Sequence, residues 1–166
     1  MSVNTADLCK AINAAWDAAG LDAKFQAYWD AGVDASRWEI LNDQQAAPGQ
    51  PYPYCVMGEP AGTVVSRMSG GVNHLRHVRD VNIRFDVYAK ATGGSTAKEV
   101  AADLAEEIMK VFGGHPTDPA GTADLTLDNG KHLTTELDSD WCVRLGDDEY
   151  MWAVSYLFKL DVPVAV

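Results

Sequence analysis

Gly93, Gly94, Ser95 and Thr96 stand between a strand-like run and a helix-like run, the order in which many chains cradle a phosphate at a helix N-terminus. Adjacent glycines supply positive φ for a turn, and Ser95, Thr96 and the first helical N–H groups could hold an anion. The spacing is neither G-x-x-x-x-G-K-[ST] nor G-x-G-x-x-G, however. Thr96 and Glu99 also make a T-x-x-E capping box, whose carboxylate competes for the same donors. A structural connection therefore outweighs an anion site, which stays open as the alternative reading.

The other reactive residue types are scattered. His74 and His77 are three apart and would share a metal on a helix, but beside a glycine turn entering a strand they point apart, with no Cys or carboxylate at ligand spacing. The acidic runs DSD (138–140) and GDDE (146–149) do not match D-x-[DN]-x-[DN]-G, and read as exposed turns. His115 and Asp118 stand next to prolines and read as loop residues. Cys9 lies near the apolar stripe of a helix and Cys55 inside a hydrophobic strand, so both read as core atoms rather than nucleophiles. There is no G-x-S-x-G. Nothing in these residues asks for an enzyme, a metal or a cofactor.

The elements that must position such residues belong to one domain, residues 1–166. The chain is 47% hydrophobic and 22% charged, enough to bury a core. Its formal net charge of −11 argues against wrapping nucleic acid, and equally suits a channel wall that DNA passes without sticking. Three widely spaced cysteines and the absence of a signal-peptide pattern predict reduced thiols in a cytosolic setting. No apolar run is long enough to span a membrane, and a soluble protein is expected.

Periodicity predicts a helix over 6–19, with Thr5 as N-cap, Leu8, Ile12 and Trp16 on its apolar stripe and Gly20 as its stop. Residues 21–37 remain ambiguous between strand and helical turn. RWEIL (37–41) reads as a strand, residues 42–54 as a proline-marked loop, and YCVMGE and TVVSRM as strands, the last followed by a turn at SGGVN. From His77 to Lys90 the period is two, with Val81, Ile83, Phe85, Val87 and Ala89 on one face. A second helix runs from the Thr96 cap to Gly113, about 24 Å long at 1.5 Å per residue. Asn129-Gly130 predicts a hairpin between DLTL and HLTTEL, strand character returns at 141–145, and YMWAVSYLFKLDVPV is a final strand stopped by Pro163. The order predicts an α+β fold with a mostly antiparallel sheet and two principal helices packed on one face.

One charge contrast stands out against the acidic whole. Between Arg67 and Arg84 there are four Arg and two His against a single acid, Asp80. This basic, glycine-broken segment suits an acidic neighbour, such as a second copy of the chain, with a solvated hairpin as the plainer account.

The order of an N-terminal helix, the PYPYCVMGE strand, the basic loop and VNIRFDVYAKATGGSTAKEVAADLAEEIMKVFGG resembles the tail terminator (tail completion) proteins of tailed bacteriophages. The residues that carry it are Phe85, Val87 and Tyr88 of the aromatic strand end, the turn from Gly93 to Thr96, and Val100, Leu104 and Ile108 of the helix. The AAPGQPYP loop departs from the pattern. The resemblance implies a structural virion protein, not an enzyme, that forms a ring of commonly six subunits, ends the tail tube and joins it to the head–tail connector or neck. It implies the tail–neck junction as location, with host cytoplasm during assembly. Partners would be other copies, the tail tube protein and the connector, with no membrane and with DNA only as passing cargo. The loop from Gly62 to His77 is the expected contact, with Arg67, Met68, His74, Arg76, His77 and Arg79 as candidate interface residues.

Overall fold

The structure, a computed structural model, describes residues 3–69 and 75–163, with side chains for 5–62 and 77–162. The elements are helix α1 (Val3–Ala18), helix α2 (Leu21–Gln26), a 3-10 turn (Ala35–Arg37), strands β1 (Leu41–Asn42), β2 (Tyr54–Met57), β3 (Ala61–Ser69) and β4 (Leu75–Lys90), helix α3 (Ala97–Phe112), and strands β5 (Lys131–Arg144) and β6 (Glu149–Pro163). The six strands form one sheet in the order β1-β2-β4-β6-β5, with β3 paired to β4 beyond the end of β2. Every strand pair is antiparallel except β1–β2. The expected α+β class is therefore correct.

Strand β4 is the spine. Its ladder with β6 runs without a register break from Arg76↔Pro163 to Lys90↔Glu149. On its other side, β3 pairs with its first half and β2 with its second. The period-two pattern places Val81, Ile83, Phe85, Val87 and Ala89 toward the helices, all fully buried. On β6 the same face presents Val154, Tyr156, Phe158, Leu160 and Val162. Helix α3 lays Val100, Ala101, Leu104, Ala105, Ile108, Val111 and Phe112 on this surface. The stripe of α1, Leu8, Ile12 and Trp16, joins the same core, as do Leu21 and Phe25 of α2. Both helix faces follow from apolar residues recurring every three or four positions.

The start of α3 is fixed by chemistry the sequence announces. Thr96 Oγ1 accepts from Glu99 N–H at 3.2 Å, and Glu99 Oε2 accepts from Thr96 N–H at 2.8 Å. Gly113 ends the helix at φ 117°, its N–H donating to Met109 O at 2.8 Å. Thr96→Ala is expected to cost about 1 kcal/mol of folding stability, the usual worth of a lost cap. Urea denaturation checks this, and an unchanged midpoint would show the box to be idle.

Four expectations need correction. Helix α1 begins at Val3, so Thr5 lies inside it, buried, rather than capping it. Gly20 does act as the stop, with φ 66° and its N–H donating to Asp17 O, and the chain re-enters helix at once as α2, which resolves the ambiguous segment. RWEIL is not a strand: a 3-10 turn held by Asp34 occupies 35–37, and only Leu41 and Asn42 pair. The Asn129-Gly130 hairpin does not form. Leu125 and Leu127 alternate because they dip into the core from an irregular segment with no ladder partner, and Gly130 delivers the chain into β5. The hairpin lies further on, where Leu145 N–H donates to Glu149 O at 2.9 Å across the GDDE turn. DSD is accordingly not a turn but the middle of β5.

Candidate assembly interface

Alternation along β4 and β6 gives the sheet a second face, formed by Asp80, Asn82, Arg84, Asp86 and Tyr88 of β4 and by Met151, Ala153, Ser155 and Leu157 of β6. The residues that pack on the helices all belong to the opposite face. At its β2 end the second face is rimmed by loop 43–53, enclosing a concavity of about 610 Å³ beside Tyr52, Tyr54, Tyr88 and Asp86. The tyrosines pack on one another, Tyr54 stacked on Tyr88 and Tyr52 edge-on to Tyr54, each at 5.0 Å between centroids. Tyr52 also donates to Glu149 at 2.7 Å and lies under the Lys90 ammonium. Burial, and then the bond to Glu149, pushes its phenol well above the ordinary value. These groups satisfy one another.

In the middle of the face, Arg84 grips the buried Asp86. Its Nη2 donates to Oδ2 at 2.8 Å, and Nε lies 2.7 Å from Oδ1. The same guanidinium stands 5.6 Å over the ring of Trp141 on β5. Of the arginines in the basic segment, this one is thus committed to its own chain.

The candidate interface residues are only partly brought together. Register sets Arg67 of β3 opposite His77 of β4, and Met68 opposite Arg76, so these four share one end of one hairpin. His74 and the SGGVN turn lie outside the described residues. Arg79 is half-buried on the helix side, in the alternation of Val81, and its guanidinium lies across Gly62, where a Cβ would come within 2.5 Å of Nη2. It is held within its own subunit.

Sequence reasoning did not single out β5. It pairs only with β6, leaving its outer edge without a strand among the described residues. Exposed large hydrophobics among the described residues all fall on β5 or on the residue after it: Leu133 (39%), Trp141 (39%), Val143 (36%) and Leu145 (47%). Trp141 and Val143 are two apart and paired to Ala153 and Met151, so they lie on the second face. The alternation of DWCVR was readable, but what covers each side of a strand is tertiary information.

The remaining groups are poorly placed for catalysis. All three thiols are raised, Cys55 furthest, by burial and then by Asp86, and Cys9 by burial and then by Asp43. Burial likewise raises Cys142. That is the reverse of what a nucleophilic thiolate needs. At the start of α3, Glu99 already occupies the donor an anion would take. No group of metal-ligating side chains occurs among the described residues.

No protein-family model matches the chain, and no curated protein matches it. One solved chain, from the virion of a native gene transfer agent particle, aligns with 20% identity over 85% of this chain and 91% of its own length, at a TM-score of 0.46. A second solved chain aligns with 19% identity over 91% of this chain and 94% of its own, at a TM-score of 0.40.

Proposed function

We propose that the chain is a structural virion protein of a tailed bacteriophage, a tail terminator subunit that works by assembling rather than by catalysis. Copies form a ring, commonly of six, that ends the tail tube and meets the head–tail connector. The reading is supported by the resemblance of the Phe85–Phe112 region to that family. The observation that carries it is an asymmetry: an acidic chain of net charge −11 gathers Arg67, Arg76 and His77 at one end of its β3–β4 hairpin. Complementary patches on one subunit are what a head-to-tail ring requires. An acidic wall would let DNA slide through without sticking.

Light scattering across a salt series tests this. The expected mass is a multiple of 18.0 kDa that falls as salt rises. Arg67→Glu combined with Arg76→Glu is expected to weaken assembly about tenfold while leaving the melting temperature unchanged, since rim charges act on association and salt dependence. A strict monomer at high concentration and with purified tail tubes would overturn the proposal.

A further inference from the structure

We infer that the β5 edge, anchored by Trp141, Val143 and Leu145, is the surface that receives the β3 edge of the next copy, beside the basic end of its β3–β4 hairpin. This rests on the ring reading and names the other half of its contact.

Three observations lead there. First, β5 concentrates exposed apolar side chains on an edge strand, where folded chains usually place charge. Trp141 is held over Arg84 and remains 39% exposed, the profile of an interface anchor. Second, the charge around it is acidic. Glu136, Asp138, Asp140, Asp147 and Asp148 outnumber Lys131 and Arg144 on β5 and the following turn. Residues 61–79, by contrast, contain no acid, and Arg67, Arg76 and His77 are gathered at the end of the β3–β4 hairpin, Arg79 being held within its own subunit. Third, β3 and β5 lie at opposite sides of one sheet, separated by β4 and β6. A subunit therefore cannot satisfy its own β5 with its own β3.

The same observations choose the occupant. A symmetric β5–β5 contact would bring two acidic edges together, with Glu136, Asp138 and Asp140 of each copy adding to the negative charge of the other, a repulsion that disfavours it. A basic partner edge removes that repulsion, and the chain supplies one. Each strand is interrupted by register shifts, β5 at 132/134 and 137/139 and β3 at 64/66. The regular stretch Ser139–Arg144 is thus the part of β5 able to add a strand, and it contains Trp141 and Val143.

The experiment separates this surface from the ring itself. Trp141→Ala with Val143→Ser is compared with the unaltered chain by light scattering, with melting temperature and near-ultraviolet circular dichroism as folding controls. A loss of assembly of about thirtyfold or more with unchanged folding is expected, the effect of removing a central aromatic anchor. An unaltered ring in this variant would overturn the β5 surface and leave the ring reading standing. A monomeric unaltered chain would overturn both. Leu145→Glu, in the exposed turn, is the second variant should the first misfold, and is expected to weaken assembly in the same direction. A mixing arm is decisive: Arg67→Glu/Arg76→Glu keeps an intact β5 edge, and Trp141→Ala/Val143→Ser keeps an intact β3 edge. Mixed, they should form a capped one-to-one dimer of twice 18.0 kDa at concentrations where each alone is monomeric. Failure to pair while the unaltered chain forms rings would refute the assignment of the two edges to each other.

Discussion

Replacing Phe85 with alanine is expected to remove about 3–5 kcal/mol of folding stability, a large share of what a domain of this size possesses. The ring is fully buried, in the strand that every layer of the molecule shares. It stacks on Phe112 of α3 at 5.1 Å and on Trp16 of α1 at 6.2 Å, and meets Tyr156 of β6 edge-on at 6.0 Å. Removing it opens a cavity walled by rigid aromatic rings, which cannot rotate inward as leucines would, so collapse recovers little of the loss. Tyr156 is constrained further, because its hydroxyl donates to Gly113 O at 2.7 Å in a buried site. Urea denaturation reads the change as a fall in midpoint at constant slope. A loss below about 1 kcal/mol would mean that the helices do not close over the sheet at Phe85.

The second large effect belongs to Gly121. Its φ of +74° is costly for any side chain, about 1–2 kcal/mol. A Cβ there would stand 2.5 Å from Val111 O, 2.7 Å from Gly113 N and 2.7 Å from Phe112 C. All are backbone atoms of the last turn of α3 and its cap, so no rotamer change relieves the contact. Nor can the loop back away, since the N–H groups of Thr122 and Ala123 both donate to Val111 O at 2.9 Å. Gly121→Ala is therefore expected to cost about 2–4 kcal/mol, strain and overpacking together. Gly94→Ala is the control. Nothing lies within 4 Å of a Cβ at Gly94, and its melting temperature should stay within the scatter of a surface change. Equal effects at the two glycines would refute the packing of loop 113–130 against α3.

Much of the fold was legible where one rule governed a long stretch. The alternation of β4 and β6 and the stripe and capping box of α3 each involve many residues answering to one period, so local and tertiary preferences agree. Legibility failed where a short signal had a competing tertiary use. Asn129-Gly130 has hairpin chemistry, but a hairpin needs a strand on each side of the turn, and Leu125 and Leu127 join the core from a segment that pairs with no strand. Trp38 and Ile40 alternate, yet Ile40 is buried without a ladder of its own. Thr5 has the right type for a cap and sits one turn too far in. The candidate site divides the same way. The basic segment was visible as charge, and its pairing across β3 and β4 followed. That Arg79 turns inward over Gly62 depends on which strand lies beside it. That Trp141 is left bare depends on there being no helix on that side of the sheet among the described residues.

The unbroken β4–β6 ladder also gives the molecule a mechanical axis. The basic hairpin end and the buried aromatic centre lie on the same strand, β4, and the β5 edge hangs from β6 beside it. Inter-strand hydrogen bonds in such a ladder run across the strand direction. A pull along β4, applied at its outer end, therefore loads the whole ladder in shear rather than peeling it one pair at a time. Tension taken up at one edge passes through β4 and β6 to the other without crossing a loop, so the sheet itself is the tie-rod.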